Sequence, residues 1–425
     1  MLPLKFIRQN EDLVRQGLRD RGMSGDVLAQ VLALDEELRE QLVQAEELKA
    51  RRNRESEAIA RAKRAGGAAE DSMAAMAQLA PRIKELDNGI RELRQKLDER
   101  LLWLPNLAHA SAPVGAGDHE NRVGDTVGEP VEHPFEARHH EDLLDQLGLV
   151  DFEAGARIAG RGFPVYTGQG ARLERALINF MLDLHTRERG YEEIFPPFLA
   201  TRAATQVTGQ LPKLEEDMYV TTTDDLFLIP TAEVPLTSLQ LGQVLAEADL
   251  PLRYVAYSAC FRREAGSYGK ETRGLLRVHQ FNKVELVKFV HPDRSYEELE
   301  SLRDDAEEVL RRLGLVYRVA ELCTGALSFA AAKCYDLEVH APASDKWLEV
   351  SSCSNFEAFQ ARRGNIRFRR ADSGKLDHVH TLNGSGLATP RLLVALLESG
   401  QQPDGAVQLP DALVPYYGQA AIRPR

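Results

Sequence analysis

Cysteine is scarce in this chain, one long stretch of it has no aromatic residue, and nowhere does an apolar run go uninterrupted. The four cysteines, Cys260, Cys323, Cys334 and Cys353, are scattered without a close pair. That spacing excludes a zinc ribbon and a dense disulfide framework, and it suits a reduced, cytoplasmic compartment. The longest uncharged run, residues 101–117, is broken by Pro105, Asn106, Ser111 and Pro113, so no membrane span is expected. The opening MLPLKFIRQNEDLVR carries charges within a few residues and has no long apolar stretch, so no secretory signal is expected. A net charge of −12 excludes holding nucleic acid by overall charge and leaves only a local basic patch for that purpose.

What is present is apolar material in quantity, 43% of 425 residues, enough for one large domain with a smaller appendage. The aromatic-free stretch is residues 28–101. Within it Met76, Leu79, Ile83, Leu86, Ile90, Leu93 and Leu97 recur at spacings of three and four, the seam of a coiled coil. Leu28, Val31, Leu38, Leu42, Ala45 and Leu48 follow a looser version of the same pattern. Ala65, Gly66 and Gly67 between them read as a helix stop and turn, which predicts an antiparallel hairpin about 50 Å long. Pro81 keeps the heptad register, and a kink is expected there. Lys49, Arg51, Arg52, Arg54, Arg61, Lys63 and Arg64 face only Glu55 and Glu57 in their stretch. A basic distal half on an acidic protein suits a phosphate backbone, and these seven are the candidate RNA contacts.

Residues 102–120, rich in Pro, Gly and Ala, read as a linker, and the domain boundary is placed between 110 and 111. Beyond it helices and strands mix. Residues 172–189 form an amphipathic helix with Leu173, Leu177, Phe180, Met181 and Leu184 on one stripe. Ser295 with Glu298 reads as a capping box. Strands are expected at 252–264, 276–288, 335–340 and 346–353. With no glycine-rich phosphate loop and no regular βαβ spacing, this order predicts an α+β fold, an antiparallel sheet flanked by helices.

On the first of these strands alternation puts Arg262 and Glu264 on one face, and on the second Arg277, Phe281 and Glu285. Between them runs a polar loop with Gly266, Gly269, Lys270 and Arg273. One sheet surface then offers guanidiniums for phosphate, an aromatic plane for a base and carboxylates for an amine or hydroxyl.

Phe261-Arg262-Arg263-Glu264 resembles motif 2 of the class II aminoacyl-tRNA synthetases. Gly384-Ser385-Gly386-Leu387-Ala388-Thr389-Pro390-Arg391 resembles their motif 3, and the helix at 172–189 with the following Gly190-Tyr191 resembles motif 1. Other segments are similar to the seryl-tRNA synthetases in particular: Thr208-Gly209-Gln210-Leu211-Pro212-Lys213, Thr231-Ala232-Glu233, Val278-His279-Gln280-Phe281, Glu349-Val350-Ser351-Ser352-Cys353-Ser354-Asn355 and the opening Leu4-Lys5-Phe6-Ile7-Arg8. With the helical hairpin, the resemblance covers essentially the whole chain.

The resemblance implies ATP-dependent activation of L-serine and transfer of the seryl group to serine tRNA, and by extension to selenocysteine tRNA. It implies that Arg262 grips the α-phosphate and Arg391 the γ-phosphate, the two catalytic arginines. Arg263, Glu264, Val278, Phe281, Val350 and Ser351 complete the ATP site. Glu349 and Ser352 are implied to hold Mg²⁺, with no zinc, since no cysteine arrangement supports the zinc-dependent type. Thr231, Ala232, Glu233, Arg262, Glu285 and Ser385 are implied to hold serine, and which carboxylate takes the ammonium stays open. Motif 1 implies a homodimer, and the hairpin implies contact with the long variable arm of the tRNA.

Two rivals are weighed. The threonine, proline and histidine enzymes share the three motifs but carry a C-terminal anticodon-binding domain, for which the 34 residues after Arg391 are too few. A non-catalytic relative would be expected to lack Arg262, Glu264, Glu349, Ser352 or Arg391, and all are present. His139 and His140 read as a solvated pair. Asp336, Glu338 and His340 read as structural residues beside the ATP site.

Overall fold

The computed structural model describes residues 1–66, 70–265 and 273–424. Gly67 of the expected turn, and Gly266, Gly269 and Lys270 of the expected basic loop, lie outside the described residues. The chain divides into two compact units, one of Leu2–Arg19 with Met23–Pro105 and one of Asn106–Arg425 with Met1 and Asp20–Gly22.

The smaller unit is the helical hairpin, α1 (Asp26–Arg64) and α2 (Glu70–Leu101). The seam on α2 buries Leu79, Ile83, Leu86, Ile90, Leu93, Leu97 and Leu101, and α2 continues through Pro81. Gln41 lies against Gly89 and Lys49 reaches Asp87 at 2.6 Å, side chains of two helices packed along their length. Asp35, 2% exposed, is held by Arg8 at 2.8 Å and Arg39 at 2.9 Å, so Arg8 of the opening segment fastens the base of the hairpin. No residue of α1 beyond Ala45 is buried, and Met76 is half-buried. The seam therefore slackens where the basic residues lie.

In the larger unit the main sheet has eight described strands. In chain order they are β1 (Arg122–Val127), β2 (Glu192–Glu193), β3 (Leu252–Phe261), β4 (Gln280–Val290), β5 (Tyr317–Glu321), β6 (Lys333–Ala341), β7 (Lys346–Asn355) and β8 (His380–Ala388). Across the sheet they run β1-β5-β6-β7-β8-β4-β3-β2. All neighbours are antiparallel except β2 and β3. The expected α+β architecture is thus the one found.

Alternation along β4 sends Val284, Leu286 and Val290 into the main core, where α3 (Gln169–Glu188), α4 (Ser295–Arg312) and α5 (Thr389–Gly400) cover one face of the sheet. Phe281, Lys283 and Glu285 point to the other face.

Two strands stop short of their expected ends. β3 ends at Phe261, and three residues on Glu264 takes a φ of +53°, outside the extended region. β4 begins only at Gln280. Arg262 and Glu264 therefore do not share a strand face, and Arg277 precedes the strand that carries Phe281 and Glu285. The capping box also fails. Ser295 lies inside α4 with its hydroxyl bonded to Asn355 at 3.2 Å and within 2.9 Å of His380 Nδ1, while Glu298 takes Lys288 Nζ at 3.1 Å. Tertiary partners have outbid the local motif.

Lys288 has no solvent exposure and is held by Glu298 at 3.1 Å, Asp305 at 3.4 Å and Ser301 at 3.1 Å. Removing a partner from a buried ion pair is destabilising because the remaining charge cannot reach water. Glu298→Ala is expected to destabilise the larger unit by roughly 3 kcal/mol, read as a lowered transition in a calorimetric scan. Glu298→Gln, which keeps an acceptor, is expected to cost less.

Candidate active site

The face of the sheet opposite the three helices gathers the polar residues. Register carries the alignment across four strands: Asp336 pairs with Ser352, Ser354 with Asn383, and Ser385 with Glu285. Two irregularities adjust the alternation beyond these pairs. Glu349 and Ser352 are three residues apart, so strict alternation would place them on opposite faces. A register shift between Leu337 and Glu338 leaves Val350 as the extra residue of β7, and Glu349 then pairs with Glu338 while Ser352 pairs with Asp336. In β8 a second shift, between Ser385 and Leu387, leaves Gly386 extra. A Cβ on Gly386 would lie 2.6 Å from His185 Nε2 of α3, so only glycine fits there. Gly384 is nearly as tight against Cys353 Sγ, at 3.0 Å.

At the centre is Glu285, with no solvent exposure. Its Oε2 accepts from Thr231 Oγ1 at 3.0 Å and pairs with Lys283 Nζ at 2.7 Å, and its Oε1 accepts from Asn383 Nδ2 at 2.5 Å. Glu233, at the start of a short helix (Glu233–Ser238), is also buried. It accepts from Gln360 Nε2 at 2.6 Å and Gln210 Nε2 at 3.3 Å, and Gln360 is in turn oriented by Thr381 at 2.7 Å. Burial, reinforced by the nearby charge of Glu285, pushes the Glu233 carboxyl up to about 7. Ser385 is buried opposite Glu285. Ala232 is fully buried in a cluster with Leu236 and Phe289, which leaves only its backbone for a ligand.

Arg262 follows β3 directly, and its guanidinium lies 5.1 Å from the Phe281 ring centre. Its amide donates to the His279 carbonyl at 2.9 Å, extending the ladder one bond past the strand. Arg263 points elsewhere, to the Glu216 carbonyl at 3.0 Å. Glu264 and Arg277 form an ion pair with each other. Val278 is buried.

At the other end, a cleft of about 280 Å³ is lined by Arg277, Glu338, Trp347, Glu349 and Arg391 among others. Arg391, in the first turn of α5, donates to the Glu349 carbonyl at 2.9 Å and approaches its carboxylate at 3.5 Å. Glu349 is half exposed, whereas Val350 and Ser351 are buried. Ser351 donates to the Ser385 carbonyl at 2.7 Å, linking β7 to the bulge of β8. Ser352 Oγ lies 3.1 Å from Cys334 Sγ. Burial and the charge of Glu349 raise the Asp336 carboxyl well above its usual range. Further along α5, Glu398 accepts from the amides of His140 at 3.1 Å, Ala343 at 3.0 Å and Ser344 at 3.3 Å. His140 is thus buried at 4% exposure rather than solvated, while His139 is exposed.

The structure brings Thr231, Glu233, Glu285 and Ser385 together, Arg262 with Phe281, and Glu349 with Arg391. The seven basic candidates of α1 are in the other unit; Lys49 is paired with Asp87, and Arg51, Arg54, Arg61, Lys63 and Arg64 are exposed. Sequence reading did not single out Lys283, Asn383 or Gln360. The run Lys283-Val284-Glu285 held the one available signal, two charges at a spacing of two on a strand.

Residues 216–400 match the model of the class II core domain of tRNA synthetases (G, H, P, S and T), and residues 1–108 match that of the seryl-tRNA synthetase N-terminal domain. A serine–tRNA ligase of Chlorobium phaeovibrioides is 51% identical over 431 residues, covering 100% of both chains. The crystal structure of seryl-tRNA synthetase from Pyrococcus horikoshii complexed with ATP superposes with a TM-score of 0.95 at 37% identity, covering 100% of both chains. That of cytoplasmic serine–tRNA ligase from Naegleria fowleri in complex with AMP gives 0.90 at 27% identity, over 100% of this chain and 99% of that one.

Gly386→Ala is expected to destabilise the protein by about 1–3 kcal/mol, since His185 is fully buried and has no room to retreat. A thermal melt equal to that of the unsubstituted protein would show that the bulge tolerates a side chain.

Proposed function

The chain belongs to the seryl-tRNA synthetase family of class II enzymes and ligates serine to serine tRNA; we propose how its own residues perform that reaction. The observation that carries the proposal is the buried polar cluster of Thr231, Glu233, Glu285 and Ser385, on the strand face that also carries Phe281 with Arg262 over its ring. It suits a small substrate with an ammonium and a hydroxyl, and a substrate without the hydroxyl would leave buried polar groups without partners.

In the first half-reaction the serine carboxylate attacks the α-phosphorus of ATP in line. A P–O bond forms, the bond to the β-phosphate bridge breaks, and pyrophosphate leaves with the electron pair. Arg262 neutralises charge on the α-phosphate. Phe281, already faced by that guanidinium, stacks on adenine, with the Val278 backbone and Glu264 at its edge. Arg391 takes the γ-phosphate. The fixed sheet positions these groups, and most of the rate comes from positioning and charge neutralisation. In the second half-reaction the terminal adenosine hydroxyl of the tRNA attacks the seryl carbonyl and AMP departs.

Glu349 and Ser352 fit a hard divalent cation, because the β7 bulge puts a half-exposed carboxylate and a hydroxyl on one face. These two side chains would hold Mg²⁺, whose charge, when it is bound, would offset that of the phosphates.

A second copy of the chain is proposed to cover the outer side of α3. There Phe195 is 77% exposed beside Ile178, Leu182 and Tyr257, along a cleft of about 440 Å³. Residues 1–110 are proposed to read the tRNA and 111–425 to hold the chemistry. Four cysteines without a disulfide accord with a cytoplasmic enzyme.

The enzyme is expected to catalyse ATP–pyrophosphate exchange with serine, with alanine poorer by about 10⁴-fold, and Arg262→Ala is expected to lower the exchange rate about 10²–10³-fold. Equal exchange with threonine or alanine would defeat the substrate assignment. Replacing Arg54, Arg61 and Arg64 together with Gln is expected to raise the KM for serine tRNA and flatten its salt dependence while leaving exchange unchanged. Charging that proceeds undiminished in that variant would remove the arm from tRNA recognition.

A further inference from the structure

The serine pocket places two carboxylates and one lysine in a space closed to water. Glu285, Glu233 and Lys283 are at most 7% exposed, and the Lys283 ammonium sits 2.7 Å from Glu285 Oε2. The two acids are supported differently. Glu285 has the lysine, a threonine hydroxyl and an asparagine amide. Glu233 has two neutral amides, Gln360 and Gln210, and no cation within bonding reach among the described residues. The other titratable groups around the cluster are Cys260 and Cys353, buried thiols whose ionisation burial disfavours, and Arg262 at the mouth.

Counting charge in such a site decides what it can hold. Two ionised carboxylates and one ammonium sum to −1, and an uncompensated buried charge is costly enough that a group takes up or gives away a proton instead. We propose that Lys283 is the built-in counter-ion of this pocket, satisfying one carboxylate permanently and leaving it a single positive charge short, the charge that the ammonium of serine supplies. This rests on the serine reading given above.

The consequence is a proton exchange coupled to binding. Before serine enters, the missing charge is a proton on Glu233, the acid without a cation. As the ammonium arrives, that proton leaves, and each carboxylate then has one cation. The elevation of Glu233 to about 7 agrees in direction with this assignment. It also bears on the division of labour between the two acids, since Glu285 already has a permanent cation and Glu233 is the one that awaits the substrate. Lys283 is here a positioning residue, acting on serine through the carboxylates.

The test is the pH dependence of the KM for serine in ATP–pyrophosphate exchange between pH 6 and 8. For the unsubstituted enzyme KM is expected to rise about tenfold from pH 8 to pH 6, because protonated Glu233 competes with the ammonium. In Lys283→Met the same charge count leaves both carboxylates protonated before serine enters, and the ammonium still displaces one of those protons, now from a site with no cation to draw it off. KM at pH 8 is then higher and the rise toward pH 6 steepens well beyond tenfold, toward about 100-fold, while Lys283→Arg restores the tenfold profile. A merely structural lysine would instead raise KM by the same factor at every pH, and that parallel profile overturns the proposal. Should Lys283→Met fail to melt like the unsubstituted protein, Glu233→Gln decides: a flat profile supports the proposal and a retained tenfold rise overturns it. Absence of any serine-dependent exchange in the unsubstituted enzyme would sink the serine reading itself, a result distinct from either profile.

Discussion

A carboxylate sealed from water governs the arrangement of the larger unit. Glu285 sits mid-strand in β4 with no exposure, and an ionised group there is tolerable only if every side of it is met. The groups that meet it come from separated parts of the chain: Thr231 ahead of a short helix, Asn383 on β8 and Lys283 from its own strand. Each of these segments is consequently fixed in register against the others. The polar cluster proposed to hold serine is built on that constraint, and its rigidity is that of the sheet.

The same strand shows how the sheet divides its labour. Phe281, Lys283 and Glu285 look toward the polar face, while Lys288, on the opposite face, is clamped by Glu298 and Asp305 of α4 on the covered side. Two bulges then correct the alternation where chemistry requires it. One lets Glu349 and Ser352 look the same way despite odd spacing, and the other, just past the Ser385–Glu285 pair, turns Leu387 into the covered core before β8 leads into α5. Without them Glu349 and Ser352 would face opposite ways and Leu387 would leave the core.

Much of this was legible in the residues. The seam of α2 was written in spacing alone, because a helix pair buries what its period dictates. The segments around Arg262, Glu349 and Arg391 could be picked out because their residues are contiguous. The strand ends could not, since no glycine or proline at 262–264 or 276–279 announces that the strands stop short there. Nor could the fates of Ser295 and His140, whose local surroundings suggested a cap and a solvated pair. Their partners, Asn355 and Glu398, are 60 and 258 residues away in the chain. Lys283, Asn383 and Gln360 were missed for the same reason: a polar residue gains meaning from what folds against it.

Glu398 gives α5 a further property. Arg391 is bonded to β7 at Glu349, and seven residues on, about 10 Å along the helix axis, Glu398 is bonded to Ala343 and Ser344 in the turn that leads into the same strand. The helix is therefore bolted to one hairpin at both ends, like a rung between two rails. Arg391 and Glu349 must travel as a single body, and any closing movement over the cleft they line has to come from the parts that face this frame, and not from the frame itself.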